Sequence, residues 1–97
     1  MQFLVIAYDG TDEKALDRRL ASRQAHLAGI EKMKGEGKAV YGVAILGEGD
    51  KMIGSVLVFD FPSRTDLDAW LKVEPYVTGK VWQKIEVHPA RVPPMFA

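Results

Sequence analysis

The apolar positions of the chain change period from one segment to the next. Residues 2–8, QFLVIAY, form an unbroken β-prone run that stops at the turn pair Asp9-Gly10. Such a run predicts a strand covered on both faces. Between about Asp12 and Glu36, Leu16, Leu20, Leu27, Ile30 and Met33 recur at three-, four- and seven-residue steps. That spacing predicts a helix with one apolar stripe, and Gly35 and Gly37 supply its stop signal. Residues 38–46, KAVYGVAIL, predict a second strand, in which Gly42 signals a bulge or a close backbone approach. After the turn GEGDK (47–51), residues 52–61 predict a third strand. Alternation sets its Ser55, Leu57, Phe59 and Phe61 on one side and Val56, Val58 and Asp60 on the other. Pro62 ends that run. Residues 63–73 predict a short helix with Ser63 as N-cap and Asp66 completing an approximate capping box. Leu67, Trp70 and Leu71 are its buried stripe, and Pro75 ends it while holding Glu74 extended. Residues 82–92 predict the last strand, with Ile85 and Val87 on one face, and the tail PPMFA reads as irregular.

The order β-α-β-β-α-β is the split βαβ, ferredoxin-like arrangement. It is an α+β fold with a four-stranded antiparallel sheet and both helices on one face. The chain of 97 residues carries no linker, repeat or low-complexity tract, so a single domain over 1–97 is expected. Both faces of strands one and three look apolar. Cover for the helix-free face is expected from a second copy in a homodimer, which would also enlarge a small core.

Composition narrows the function. Lysine plus arginine balances aspartate plus glutamate at 13 each, which argues against a nucleic-acid partner. The absence of cysteine removes disulfides, zinc-thiolate sites and thiol catalysis. The opening apolar run lacks the charged flank and cleavage site of a signal peptide and is too short to span a bilayer. A soluble, cytoplasmic protein with no membrane partner is therefore expected. The two histidines lie far apart in sequence, so no metal site is expected. GEGDK lacks the spacing of a phosphate-binding loop.

Candidate chemistry gathers on the first helix. Positions 19, 23, 26, 30 and 33 lie roughly along one line, which puts Arg19, Arg23 and His26 on one flank of the apolar stripe. An imidazole there reads either as a half-buried histidine satisfied by a carbonyl or water, or as a general acid/base. Glu74 is the second candidate: an exposed helix-end glutamate, or a carboxylate fixed by Pro75 that approaches His26. Ser55 is the one hydroxyl on the inward face of strand three. Tyr8 and Asp9 end strand one, where a pocket could open. Arg23 could bind an anionic group, and Tyr76 and Trp82 could wall a pocket. His88 reads as exposed and structural.

Three stretches, RQAHLAGIEKM, GSVLVFDF and AWLKVEPYVTGKVWQKIEVHP, give the chain a resemblance to the YCII-related domain family of YciI-like proteins. The resemblance covers almost the whole chain. It implies a ferredoxin-like α+β barrel formed by dimerisation, similar to muconolactone isomerases. It also implies a catalytic histidine at His26 preceded by Arg23, and a glycine-serine pair at Gly54 and Ser55. The family usually has an aspartate before the PY pair, where this chain has Glu74; charge is kept and reach grows by one methylene. One branch resembles chlorinated-hydroquinone dehydrochlorinases, so the resemblance implies a small cyclic or aromatic substrate. The chemistry it implies is cofactor-independent lyase or isomerase chemistry on a His26–Glu74 pair, with Arg23, Ser55, Tyr8, Asp9, Tyr76 and Trp82 around the substrate. A non-catalytic dimeric ligand-binding module and a purely structural subunit are the other two classes the sequence leaves open.

Overall fold

The computed structural model describes residues 1–96. Strand β1 (Gln2–Asp9) is followed by helix α1 (Ala15–Gly35), β2 (Ala39–Leu46), β3 (Met52–Asp60), α2 (Arg64–Leu71), the one-turn α3 (Pro75–Thr78) and β4 (Trp82–Ala90). The four strands form one antiparallel sheet in the order β2-β3-β1-β4, the ferredoxin-like α+β arrangement. Short 3-10 turns at Glu48–Asp50 and Pro94–Phe96 complete the chain. Among the described residues no helix is long and apolar enough to cross a membrane.

The period-2 pattern sets the two sheet faces. Phe3, Val5, Ala7 and Asp9 of β1 are buried, as are Ser55, Leu57 and Phe59 of β3. The apolar members of these sets form the core with Met33, Ala39, Phe61, Leu67, Tyr76, Val81 and Trp82. Leu4 and Ile6 on the opposite face are only half-buried and Tyr8 is exposed, so β1 is covered on one face within a single chain, not on both. The third strand alternates as its sequence predicts, with Val56, Val58 and Asp60 on the less buried face. The Ser63 hydroxyl accepts from Asp66 N–H at 3.2 Å and caps α2. A Cβ on Gly42 would stand 3.1 Å from the Leu57 side chain, so the close approach is real. Register shifts in the β2–β3 pairing fall between Ala39 and Tyr41 and between Ile45 and Leu46, not at Gly42.

Two differences from the sequence reading matter for the site. The buried residues of α1 are Ala15, Arg19, His26 and Met33, whereas Leu20 and Leu27 are exposed. The line 15–19–26–33 lies about a third of a turn away from the leucine line. The helix turns a mixed polar line inward because its charged members find partners there. The second difference is α3, a helical turn that the reading of Pro75 as the end of the preceding helix does not include. Pro75 instead occupies the first helical position, where its missing N–H costs nothing.

Candidate active site

Arg19 and His26 are seven residues apart, so they point the same way from α1, about 10 Å apart along the axis. The Tyr76 ring of α3 spans that gap. It stacks on the His26 imidazole with centroids 3.9 Å apart and planes 13° from parallel. The Arg19 guanidinium carbon lies 4.8 Å from the same ring centre. Trp82, at the start of β4, meets both rings edge-on, 5.6 Å from His26 and 5.5 Å from Tyr76. Aromatic walls of this kind fix ring planes at little entropic cost.

Glu74 is the N-cap of α3. Its Oε1 accepts from Tyr76 N–H at 3.3 Å and meets His26 Nδ1. Only 2% of Glu74 is exposed, and 5% of His26. A carboxylate so enclosed requires a partner, and the imidazole supplies it. With Nδ1 engaged, His26 Nε2 has no hydrogen-bond partner among the described residues. Nor does it belong to the fully enclosed unsatisfied atoms, and the residue lines a cavity. A neutral imidazole that donates Nδ1–H to a carboxylate presents a basic Nε2. Carboxylate-oriented imidazoles present this arrangement in acid/base sites.

A second buried pair stands two helical turns away. Arg19 Nη1 donates to both Asp9 carboxylate oxygens, at 3.0 and 3.1 Å, and Nη2 donates to Ser55 Oγ at 3.0 Å. Trp82 Nε1–H donates to the same Ser55 oxygen at 3.2 Å. Burial pushes the Asp9 carboxyl above its ordinary range, against the opposing pull of Arg19. The Tyr76 hydroxyl is also pushed up by burial, with Arg19 and Arg23 pulling the other way, so it stays protonated at neutral pH. Arg19 Nε is buried without an acceptor; the tyrosine face beside the guanidinium is its nearest compensation.

Arg19, Arg23, His26, Ser55 and Tyr76 share a cavity of about 210 Å³, lined also by Ile30, Gly42, Ala44 and Leu57. A single substituted ring suits that volume. The structure thus brings together His26, Glu74, Ser55, Tyr76, Trp82 and, at the rim, the exposed Arg23. Glu74 is not an exposed helix-end group. Two sequence candidates do not line this cavity: Tyr8 is exposed on the helix-free face, beside Lys84, and Asp9 stands behind Arg19 with both oxygens occupied by it. Arg19 is the residue that sequence reasoning left without a role. Its seven-residue spacing from His26 was the available signal. His88 is exposed and pairs with Glu86 at 3.4 Å on β4. Among the described residues no group of three or more His, Asp or Glu is placed to hold a metal.

Gly79 lets α3 dock. A Cβ there would stand 2.4 Å from Ser22 Oγ of α1 and 2.8 Å from the Pro75 carbonyl oxygen. Gly79→Ala is expected to lower stability by about 1–3 kcal/mol, as overpacking does, and to displace Tyr76 from His26. Urea unfolding reports the first effect and the His26 ring-proton shifts the second. The pair Gly79→Ala with Ser22→Ala is expected to recover part of both.

Residues 1–91 match the YCII-related domain. The chain is 28% identical over 95 residues to the protein named YciI of Escherichia coli O6:H1, covering 92% of this chain and 95% of that one. Among solved structures it is similar to the 5-chloro-2-hydroxyhydroquinone dehydrochlorinase of Burkholderia phenoliruptrix AC1100, in complex with 2,5-dihydroxybenzoquinone. The TM-score is 0.82 at 25% identity, over 94% of each chain. A dimeric ferredoxin-like protein of unknown function from Jannaschia sp. CCS1 shares the fold, with a TM-score of 0.51 at 16% identity over 94% of this chain and 98% of that one.

Proposed function

The chain belongs to the YCII-related domain family, and from that premise we propose that it is a cofactor-independent lyase or isomerase acting on a small cyclic substrate. The observation that carries the reading is the His26–Glu74 pair, buried, stacked on Tyr76, with Nδ1 engaged by the carboxylate and the histidine lining the cavity. His26 Nε2 takes a proton from the bound ring, and the Glu74 carboxylate holds the tautomer and stabilises the resulting imidazolium. In an elimination a hydroxyl proton first moves to the halide-bearing carbon as the ring passes to its keto tautomer. His26 Nε2 then takes a second hydroxyl proton, the released electron pair expels the halide, and in net one proton and one halide ion leave the substrate. In an isomerisation the same proton returns to a different atom. The similarity to a dehydrochlorinase favours elimination from a halogenated hydroxyquinol.

The test is a panel of chlorinated hydroquinones and hydroxyquinols, followed by chloride release and by solvent-deuterium incorporation. Release or incorporation by the wild type that disappears in His26→Gln supports the reading. Saturable binding of 2,5-dihydroxybenzoquinone with no turnover across the panel contradicts catalysis and leaves a ligand-binding module.

A second copy covers the helix-free face in this reading. Directly paired residues share a sheet face, and Leu4, Ile6, Val56, Val58, Tyr41 and Val43 line up across β1, β3 and β2. Tyr41 is 71% exposed and Val43 49%, an apolar area that a lone soluble chain rarely leaves open. Light scattering is expected to give twice the chain mass for the wild type and the single mass for Tyr41→Glu. A monomeric wild type at micromolar concentration contradicts the dimer.

A further inference from the structure

Ser55 Oγ has two lone pairs and one proton to give. Both lone pairs are directed at groups that can only donate: Arg19 Nη2–H at 3.0 Å and Trp82 Nε1–H at 3.2 Å. Neither a guanidinium nor an indole nitrogen can accept the serine proton. No carbonyl or carboxylate among the described residues accepts it either, although Ser55 is 97% buried by its 3% exposure and sits mid-sheet between Ala7 and Ala44. The hydroxyl therefore acts as a donor with a fixed orientation and no protein acceptor, and the residue lines the same cavity as His26.

We infer that Ser55 is an oxyanion-binding group, and that the cavity takes its ring ligand with an ionised oxygen, a phenolate or enolate, against the Ser55 hydroxyl. This rests on the acid/base reading and adds the ionisation state of the substrate to it. The logic is electrostatic. A neutral phenol hydroxyl must also place its own proton, and Ser55, with both lone pairs filled, offers it no acceptor. An anionic oxygen needs only donors, and a donor polarised by a guanidinium bonds it more strongly. Arg19 and Trp82 are positioning residues: they act through Ser55 by denying its oxygen any other role. Asp9 completes the device. It binds both its oxygens to Arg19 Nη1 and keeps Nη2 turned toward the serine. A ring oxygen ionised in this way also suits the proposed elimination, because its electrons can enter the ring as the leaving group departs. The proton goes to solvent before binding, and His26 Nε2 takes the second proton during the reaction.

The probe is 4-nitrophenol, whose phenolate absorbs in the visible and whose phenol does not. Its ionisation is followed by absorbance against pH, free and bound, in the wild type, Ser55→Ala, Trp82→Phe and His26→Gln. The expected result in the wild type is a preference for phenolate over phenol of about tenfold or more, read as ionisation at lower pH when bound. Ser55→Ala is expected to abolish most of it. Trp82→Phe, which frees one serine lone pair, is expected to reduce it, and His26→Gln to keep it. A phenolate preference that survives in Ser55→Ala belongs to Arg23 at the rim and overturns the inference, as does binding without preference. The acid/base reading still stands in both cases if His26→Gln abolishes turnover. If neither 4-nitrophenol nor 2,5-dihydroxybenzoquinone binds, both readings fall together.

Discussion

Arg19→Met is expected to destabilise the protein by about 3–5 kcal/mol, the cost of leaving one partner of a buried ion pair alone. Arg19 and Asp9 are 3% and 8% exposed, and Arg19 Nη1 supplies hydrogen bonds to both Asp9 oxygens. The substitution keeps the apolar stem but strips the carboxylate of its cation. The loss has a distinctive pH dependence. Burial already holds the Asp9 carboxyl above its ordinary range, and Arg19 is the main force pulling it down. Without Arg19 it rises further. A folded-state value above the unfolded one means that the folded state binds the proton more readily. The ionised form then costs stability above the folded-state value, and that cost fades as pH falls through it toward the unfolded value of about 4. Urea midpoints of Arg19→Met relative to wild type are therefore expected to converge as pH is lowered from 7 toward 4. The pair Arg19→Met with Asp9→Leu removes both charges and is expected to regain most of the stability, while leaving Ser55 with Trp82 alone as a positioning donor. A stable fold with a silent site separates the structural from the functional share of this pair. Equal losses at pH 7 and pH 5 would contradict the account of Asp9.

The other large effect concerns turnover. His26→Gln and Glu74→Gln are each expected to lower the turnover number on the substrate found by the panel by roughly 10²–10⁴-fold, the usual contribution of a positioned general acid/base. The two are expected to be strongly non-additive, because residues acting as one unit lose their shared function at the first substitution. Glutamine at 74 keeps an oxygen to accept from Tyr76 N–H, so α3 stays capped and the loss is not one of folding. Glu74→Asp separates charge from reach. It shortens the side chain by one methylene, and a shift of that size in a fixed site is expected to cost about 10²-fold with thermal stability changed little. Steady-state kinetics on the wild type, the three single variants and the His26→Gln/Glu74→Gln double variant checks the pattern. Additive losses, or an aspartate variant equal to wild type, would contradict a single preorganised unit.

The fold was legible because period and punctuation agreed. The inward set Ser55, Leu57, Phe59 and Phe61, the Ser63 cap and the four-strand order all follow from alternation and from turn residues. Leu20 and Leu27 misled because hydrophobic periodicity assumes that apolar residues claim the inward face. In α1 a mixed line won instead, because Arg19 meets Asp9 and His26 meets Glu74 in space, 10 and 48 residues away in sequence. Long-range pairing of that kind leaves no local signature. For the same reason Arg23 drew attention and Arg19 did not: one turn of helix separates them, and only the position of Asp9 at the end of β1 decides which of them is buried. Helix α3 was hidden by Pro75, which reads equally as the end of one helix or the first residue of the next. The pocket chemistry was half legible: His26, Ser55 and Glu74 were visible as residue types, but the donors that fill the serine oxygen were not.

The measurement that bears most directly on the central claim is the nitrogen-15 spectrum of the His26 imidazole at neutral pH, with and without 2,5-dihydroxybenzoquinone, in the wild type and in Glu74→Gln. The account predicts a proton on Nδ1 held by Glu74, a bare Nε2 whose resonance moves when the ligand is added, and loss of the fixed tautomer in the glutamine variant. A proton resident on Nε2 in the free protein, or an Nε2 resonance indifferent to the bound ligand, would contradict it.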